Sequence, residues 1–166
     1  MKKGILLVLA TISISIAANA QKYGHADAQS MLTELPDYKL AEDSLKKFAA
    51  QLEAEMESQI KMYQQRVADF EKAKAAGLFS PEIEQSRIQE LQEKQQRMQE
   101  YQVNAQNMIQ QRESDLLEPM IKRVKDAIEK VARDNKYNYI FDPNVLLFSA
   151  GGDDIGPLVK KELGVQ

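Results

Sequence analysis

Few side chains in this sequence have the type and spacing that catalysis requires. His25 is the single histidine of the chain, and Asp27 follows it two residues later, so the two could form a histidine–carboxylate pair for proton transfer. The sequence near them supplies no identifiable nucleophile or third catalytic partner. We therefore interpret His25 as a structural residue and predict that the protein is not an enzyme.

The acidic residues do not have the spacing of a cation-binding loop, and we interpret them as solvated helix surface or helix caps. Their clusters are Glu42 with Asp43, the alternating Glu53, Glu55 and Glu57, and Asp153 with Asp154. A chain with one histidine and no cysteine also lacks a ligand set for zinc. Two aspartates next to Gly151 and Gly152 would repel a phosphate group. The sequence predicts no metal and no cofactor.

The first 20 residues have the pattern of a secretory signal peptide. Lys2 and Lys3 precede an apolar run of about 14 residues, which is shorter than the roughly 20 needed to span a bilayer. Ala18-Asn19-Ala20 then supplies the small residues of a cleavage site. We predict cleavage after Ala20 and export of the remaining chain.

The charge of the exported part argues against a nucleic-acid partner. Without Lys2 and Lys3 it holds 20 basic and 25 acidic residues, a net charge of −5. A protein that binds nucleic acid needs a basic face that neutralises phosphates. The longest basic stretch is Lys122, Arg123 and Lys125, which is too short for such a face.

Helix-breaking residues are confined to one place in the central part of the chain. Between Pro36 and Pro119 the only glycine is Gly77 and the only proline is Pro81. Gly77 suits the left-handed position after a helix, and Pro81 suits the first turn of the next helix. We predict two long helices that meet at a tight turn near residues 76–81.

In an antiparallel pair of such helices, the sequence numbers of residues that face each other add up to a constant, which we call the index sum. With a sum of 157 or 158, apolar residues of the two helices face one another in seven layers. The predicted coiled-coil seam consists of Phe48, Leu52, Met56, Ile60, Val67 and Phe70, with Ile88, Leu91, Met98, Tyr101 and Ile109. Residues 37–119 are thus predicted to form an antiparallel helical hairpin, with a kink at Pro119.

Residues 21–36 and 120–166 differ in composition from the helices and are predicted to form one small β-rich body. Aromatic residues alternate before Pro143-Asn144, and Val145 to Phe148 follow, which indicates a β-hairpin. Lys22 to Ala26 could supply a third strand. A body of this size without disulfides or metal buries little surface, so we expect oligomerisation to stabilise it. The candidate oligomerisation residues are Tyr137, Tyr139, Phe141, Val145 and Leu147.

This arrangement resembles the Skp (OmpH-like) periplasmic chaperones. The resemblance rests on the order of a strand, a short helical turn with Met31 and Leu32, a long helical hairpin, paired strands and a final helix. It also rests on the C-terminal segment YNYIFDPNVLLFSAGGDDIGPLVKKEL. It implies a mostly α member of the α+β class, in which a long coiled-coil hairpin, the tentacle, projects from a small β-rich oligomerisation body, and it implies a homotrimer. The function it implies is that of an ATP-independent periplasmic holdase, which binds unfolded outer-membrane proteins and prevents their aggregation before membrane insertion.

The hairpin offers surfaces on which such clients could be held, because each helix uses one stripe for its partner and leaves its other faces free. The off-seam apolar residues, which are the client-contact candidates, are Met62, Leu78, Phe79, Val103 and Met108. Methionine adapts to many partners because it is unbranched and polarisable. The basic tentacles of the best-known family members are credited with attracting acidic clients and lipopolysaccharide. Residues 37–134 of this chain carry 16 basic and 19 acidic residues, which argues against contact with lipopolysaccharide or a membrane surface.

A second interpretation is a structural coiled-coil spacer or adaptor of the cell envelope. It would require the same seam but no adaptable client surface. Suppression of client aggregation would distinguish the two, because a spacer would leave aggregation unchanged.

Overall fold

The computed structural model describes residues 21–165, so the predicted signal peptide and its cleavage site lie outside the described residues. The elements in chain order are strand β1 (Tyr23–His25), helix α1 (Ala28–Glu34), helix α2 (Pro36–Ala75), helix α3 (Pro81–Asp134), strand β2 (Tyr139–Phe141), a 3₁₀ turn (Pro143–Val145), strand β3 (Asp153–Asp154) and helix α4 (Gly156–Leu163). The predicted fold class, mostly helical with a small strand region, is confirmed. The described chain forms two compact units, residues 32–122 and residues 21–31 with 123–165.

Helix α2 is 40 residues long, or about 60 Å at 1.5 Å per residue. It begins after Leu35, which has an extended backbone, and Pro36 occupies its first turn. Asp37 near its start and Lys72 and Lys74 near its end complement the helix dipole. No glycine or other proline interrupts it, as the sequence predicts.

The turn after α2 is closed by backbone hydrogen bonds around Gly77, which has a φ of +67°. The Leu78 amide donates to the Ala73 carbonyl at 3.1 Å, and the Gly77 amide donates to the Lys74 carbonyl at 3.0 Å. This pair of bonds is the Schellman arrangement that ends many helices. Ser80 then caps α3, because its hydroxyl accepts a hydrogen bond from the Ile83 amide at 3.4 Å.

Helix α3 contains 54 residues and is continuous through Pro119. It pairs with α2 next to the turn in the register of index sum 158. An ion pair of 2.8 Å between Lys74 and Glu84 joins the two helices in this register next to the turn. The Glu84 carboxylate raises the pKa of Lys74, chiefly through this hydrogen bond.

The sheet has three parallel strands with β1 in the centre, in the order β2-β1-β3. Tyr23 is in register with Tyr139, and Gly24 with Ile140. Just before this pairing the Lys22 carbonyl accepts from the Asn138 amide at 2.8 Å, while the Asn138 side-chain oxygen accepts from the Lys22 amide at 2.8 Å. The central strand therefore comes from the start of the described chain, as the sequence suggests.

The predicted β-hairpin is wrong, because residues 145–148 form no strand. The Asp142 side chain accepts a hydrogen bond from the Asn144 amide at 2.8 Å, and the backbone enters a 3₁₀ turn over Pro143–Val145. This side-chain bond competes with strand pairing. The partner of β2 is β1, and the second neighbour of β1 is the short strand Asp153–Asp154.

The core of the strand-containing unit lies under the sheet. Ile155 and Val159 are fully buried, and a side chain at Gly24 would meet the Ile140 and Ile155 side chains at 3.0 and 3.2 Å. The Arg123 guanidinium near the end of α3 donates to the Leu163 carbonyl of α4 at 2.9 Å. Contacts between residues far apart in the sequence thus hold this unit together.

Candidate interaction surfaces

Of the histidine–carboxylate pair singled out in the sequence, the aspartate has a structural role. Asp27 caps α1, since its carboxylate accepts a hydrogen bond from the Ser30 amide at 2.9 Å. This bond is the main cause that lowers the pKa of Asp27. Within residues 21–165 no three or more histidine, cysteine, aspartate or glutamate side chains form a group that could hold a metal ion.

The predicted seam residues of α2 and α3 have little or partial exposure. Leu52 is buried, and the other members are half-buried: Phe48, Met56, Ile60, Val67, Phe70, Ile88, Leu91, Met98, Tyr101 and Ile109. A two-helix pair has only one contact stripe, so each seam side chain keeps part of its surface in solvent. The hairpin consequently has apolar surface that its own fold does not cover.

A central groove of about 500 Å³ runs along this seam, lined by Leu52, Met56 and Ile60 of α2 and by Tyr101 and Ile109 of α3. The Tyr101 hydroxyl is buried and has no hydrogen-bond partner among the described residues. Burial, followed by the nearby Glu55 carboxylate, raises the pKa of Tyr101. The groove is thus apolar, apart from the Tyr101 hydroxyl near the Glu55 carboxylate.

A second groove, the tip groove, lies near the turn of the hairpin and has a volume of about 620 Å³. The large apolar residues of its lining are Met62, Phe70, Phe79 and Leu91. The rings of Phe70 and Phe79 stack with centroids 5.6 Å apart. The lining thus combines a rigid aromatic pair with a flexible methionine.

The charged rim of the tip groove is basic. The cations on it are Arg66, Arg87, Lys94 and Arg97, against the two carboxylates of Asp69 and Glu90. Arg87 and Glu90 form an exposed ion pair of 2.7 Å. This local excess of positive charge contrasts with the acidic chain as a whole, and whole-chain counts of charge could not reveal it.

The five client-contact candidates are placed differently by the fold. Met62 is 50% exposed, and Leu78, Val103 and Met108 are also exposed, whereas Phe79 is half-buried against Phe70. Met108 lines a third groove with Leu40 and Phe48. Leu40 and Ile83 are exposed as well and were missed. Both are apolar residues outside the seam, so the criterion that selected Met62 applies to them as well.

On the sheet, three aromatic rings form an exposed aromatic face. The ring of Tyr23 stacks on those of Tyr139 and Phe141 at centroid distances of 5.9 and 6.2 Å, and all three side chains are exposed. Tyr137 is not part of this face. It is half-buried, its hydroxyl donates to the Asp153 carboxylate at 2.7 Å, and the Lys22 ammonium lies 3.9 Å from its ring centroid.

After the 3₁₀ turn begins, the chain exposes an apolar loop, residues 145–148. Val145, Leu147 and Phe148 are exposed, and Leu147 is fully exposed. Fully exposed leucine beside phenylalanine in one short segment is unusual for a surface that faces only water. Four of the five oligomerisation candidates, Tyr139, Phe141, Val145 and Leu147, therefore lie on exposed surface.

Comparisons with known proteins agree with one another. A family model for outer membrane protein (OmpH-like) matches residues 22–163. The fold is similar to the crystal structure named for an outer membrane chaperone (OmpH-like) from Caulobacter crescentus CB15, with a TM-score of 0.72 and 15% identity over 89% of this chain and 86% of that chain. At this identity the likeness concerns the fold. No curated protein matches the sequence. In the described residues no helix is both long and apolar enough to span a membrane.

Proposed function

The chain belongs to the OmpH-like outer membrane protein family, whose members are periplasmic chaperones, and we propose that it is an ATP-independent holdase. In this role it binds unfolded outer-membrane proteins in the periplasm and prevents their aggregation before membrane insertion. The observation that carries the proposal is the hairpin of α2 and α3, which has grooves and exposed apolar side chains along its length.

Client binding is expected to be weak at each contact and adaptable. Exposed methionines such as Met62 and Met108 can repack around different side chains, and the grooves are open to solvent. A client that is held by many weak contacts can leave without a nucleotide cycle. The exposed candidates Met62, Leu78, Val103 and Met108, with Phe79 in the tip groove, are the contacts we propose.

Assembly is proposed to occur through residues 21–36 and 120–166, with residues 37–119 as the client-binding tentacle. The aromatic face and the apolar loop together expose six large apolar side chains. Burying them between copies would remove this surface from water, which is the usual driving force of association. We propose a homotrimer, in keeping with the family.

Export to the periplasm is proposed to follow cleavage after Ala20, on the pattern of residues 1–20. The acidic chain is proposed to recognise clients mainly through apolar contact, with electrostatic attraction limited to the basic rim of the tip groove. Neither lipopolysaccharide nor a membrane surface is proposed as a partner.

The decisive experiment is aggregation of an unfolded outer-membrane β-barrel protein, followed by turbidity, with stoichiometric amounts of the mature chain. We expect turbidity to be suppressed without added ATP. A matched variant replaces residues 72–84 with a short glycine-serine turn, which shortens both helices, and should protect clients less while its oligomer stays intact. Unchanged turbidity with the parent chain would favour the structural spacer, and loss of assembly in the variant would contradict the division into tentacle and body.

A further inference from the structure

Cleavage after Ala20 would make Gln21 the first residue of the mature chain. We propose that this glutamine then cyclises to pyroglutamate, a five-membered lactam, so that the exported protein has a blocked N-terminus. The inference rests on the proposed export and its cleavage position. It concerns a covalent modification and does not depend on client binding.

The geometry around Gln21 favours the reaction. Gln21 is exposed, and the Tyr23 hydroxyl donates a hydrogen bond to the side-chain carbonyl oxygen of Gln21. Tyr23 itself is held in place, because its ring stacks on Tyr139 and Phe141 and its backbone belongs to the central strand. A positioned donor therefore lies at the carbonyl group that has to be attacked.

The reaction balances without an oxidant or any other co-reactant. The free α-amine of Gln21 attacks its own side-chain carbonyl carbon, and the new C–N bond closes the ring. Negative charge develops on the side-chain oxygen in the tetrahedral intermediate, where the Tyr23 hydroxyl donates its hydrogen bond. The carbon–nitrogen bond of the side-chain amide then breaks, and ammonia leaves with the proton that the amine gives up.

The product protects the residue on which the start of the sheet depends. Lys22 exchanges two hydrogen bonds of 2.8 Å with Asn138, and its ammonium lies 3.5 Å from the Asp153 carboxylate. An aminopeptidase that removed Gln21 and then Lys22 would delete these contacts and reach β1. A lactam has no free α-amine, so such an enzyme cannot begin, and the peptide bond between residues 21 and 22 keeps the amide that donates to Asn138.

The first test is the intact mass and N-terminal sequence of the chain purified after export. We expect a chain that begins at residue 21, lacks one ammonia and resists Edman degradation. The matched control is Gln21→Asn, which is one methylene shorter and would have to close a four-membered ring, so its amine should remain free. A parent chain that begins at Gln21 and keeps its ammonia would overturn the lactam and leave export and holdase activity standing. A chain that begins at another residue would overturn the cleavage position and the lactam together.

The second test isolates the role of Tyr23. A fresh N-terminus is made by a site-specific protease that cuts a carrier segment from the mature chain just before Gln21, and ammonia loss is followed by mass. Tyr23→Phe keeps the ring but removes the donor, and we expect cyclisation to slow about threefold or more. Tyr139→Phe removes a hydroxyl from the same face and should leave the rate unchanged. Equal rates for Tyr23→Phe and the parent would overturn the assisting role of Tyr23.

Discussion

The helical hairpin and the strand-containing unit obtain their stability from different contacts. In the hairpin the seam side chains other than Leu52 remain half-exposed, and the helices are maintained by local backbone hydrogen bonds. In the strand-containing unit Ile155 and Val159 are completely buried, and hydrogen bonds join residues 116 positions apart. The hairpin can therefore vary its surface at little cost to the fold, whereas the strand-containing unit cannot. This difference is why we propose client contacts for the hairpin and assembly for the strand-containing unit.

The largest effect is expected from a charged substitution on the aromatic face. Phe141→Asp or Tyr139→Asp would place a carboxylate where neighbouring copies are expected to bury rings, so we expect the oligomer to dissociate. Sedimentation equilibrium measures the effect, with circular dichroism to verify that the helices remain. Val103→Asp on the hairpin is the matched control and should leave the oligomer whole. Intact oligomers for both face variants would show that assembly lies elsewhere.

Replacing an isoleucine by alanine should lower the free energy of unfolding by different amounts in the two regions. Ile155→Ala removes a side chain with no exposed surface and should lower the free energy of unfolding by about 2–5 kcal/mol. Ile60→Ala removes the same atoms from a half-exposed seam position and should cost roughly half as much or less, because water already covers part of that side chain. Urea denaturation followed by circular dichroism gives both values. Equal losses would mean that the hairpin is packed as tightly as the strand-containing unit.

The same contrast explains what the sequence could predict. The hairpin follows from local signals, namely the lack of breakers, Gly77 and Pro81 at the turn, and apolar periodicity, so both helix ends at the turn are predicted to within one residue. The sheet depends on pairing between β1 and β2, which are more than 100 residues apart, and no local pattern specifies a parallel arrangement. Alternation before Pro143 therefore indicated a hairpin that the Asp142 side chain prevents.

For the candidate surfaces, too, local spacing predicted some features and missed those that depend on contacts between helices or with the turn. Off-seam spacing placed Met62 and Met108 on the surface correctly, because a helix fixes the direction of each side chain from its position. The spacing could not reveal that Phe79 stacks on Phe70, since Phe79 lies in the turn. Nor could it reveal the basic rim of the tip groove, because Arg66 and Lys94 come from different helices and meet only once the register is fixed.

The tip groove offers a test of electrostatic attraction within an acidic protein. Arg66→Glu combined with Lys94→Glu reverses two rim charges and should weaken binding of an acidic, apolar client about tenfold at low salt. The difference should shrink as salt is added, since the rim is open to solvent. Lys39→Glu combined with Lys46→Glu makes the same change in net charge outside the groove and is the control. If the two double variants bind equally, only net charge matters; fluorescence anisotropy with a labelled client fragment measures the affinities.

The smallest expected effect compares two glycines that end helices in the same way. Gly77 and Gly164 both have positive φ, +67° and +75°, and the residues after them donate the same long hydrogen bond back into the helix, from Leu78 to Ala73 and from Val165 to Lys160. A side chain at either glycine would meet no neighbouring atom within 4 Å, so alanine would carry only the backbone cost of the left-handed conformation, about 1 kcal/mol.

What differs is the residue that follows each glycine. Leu78 is 71% exposed, whereas Val165 is 9% exposed and belongs to the core of the strand-containing unit. Gly164→Ala should therefore lower the global free energy of unfolding by about 1 kcal/mol, because the strained turn is tied to buried side chains. Gly77→Ala should instead speed amide hydrogen exchange at the hairpin turn and leave the global value nearly unchanged, because the last turns of α2 and first turns of α3 can open locally.

The control is Gly151→Ala, at a glycine without positive φ. It should change neither the free energy of unfolding nor the exchange rate. A global loss from Gly77→Ala equal to that from Gly164→Ala would mean that the hairpin and the strand-containing unit unfold as one cooperative structure.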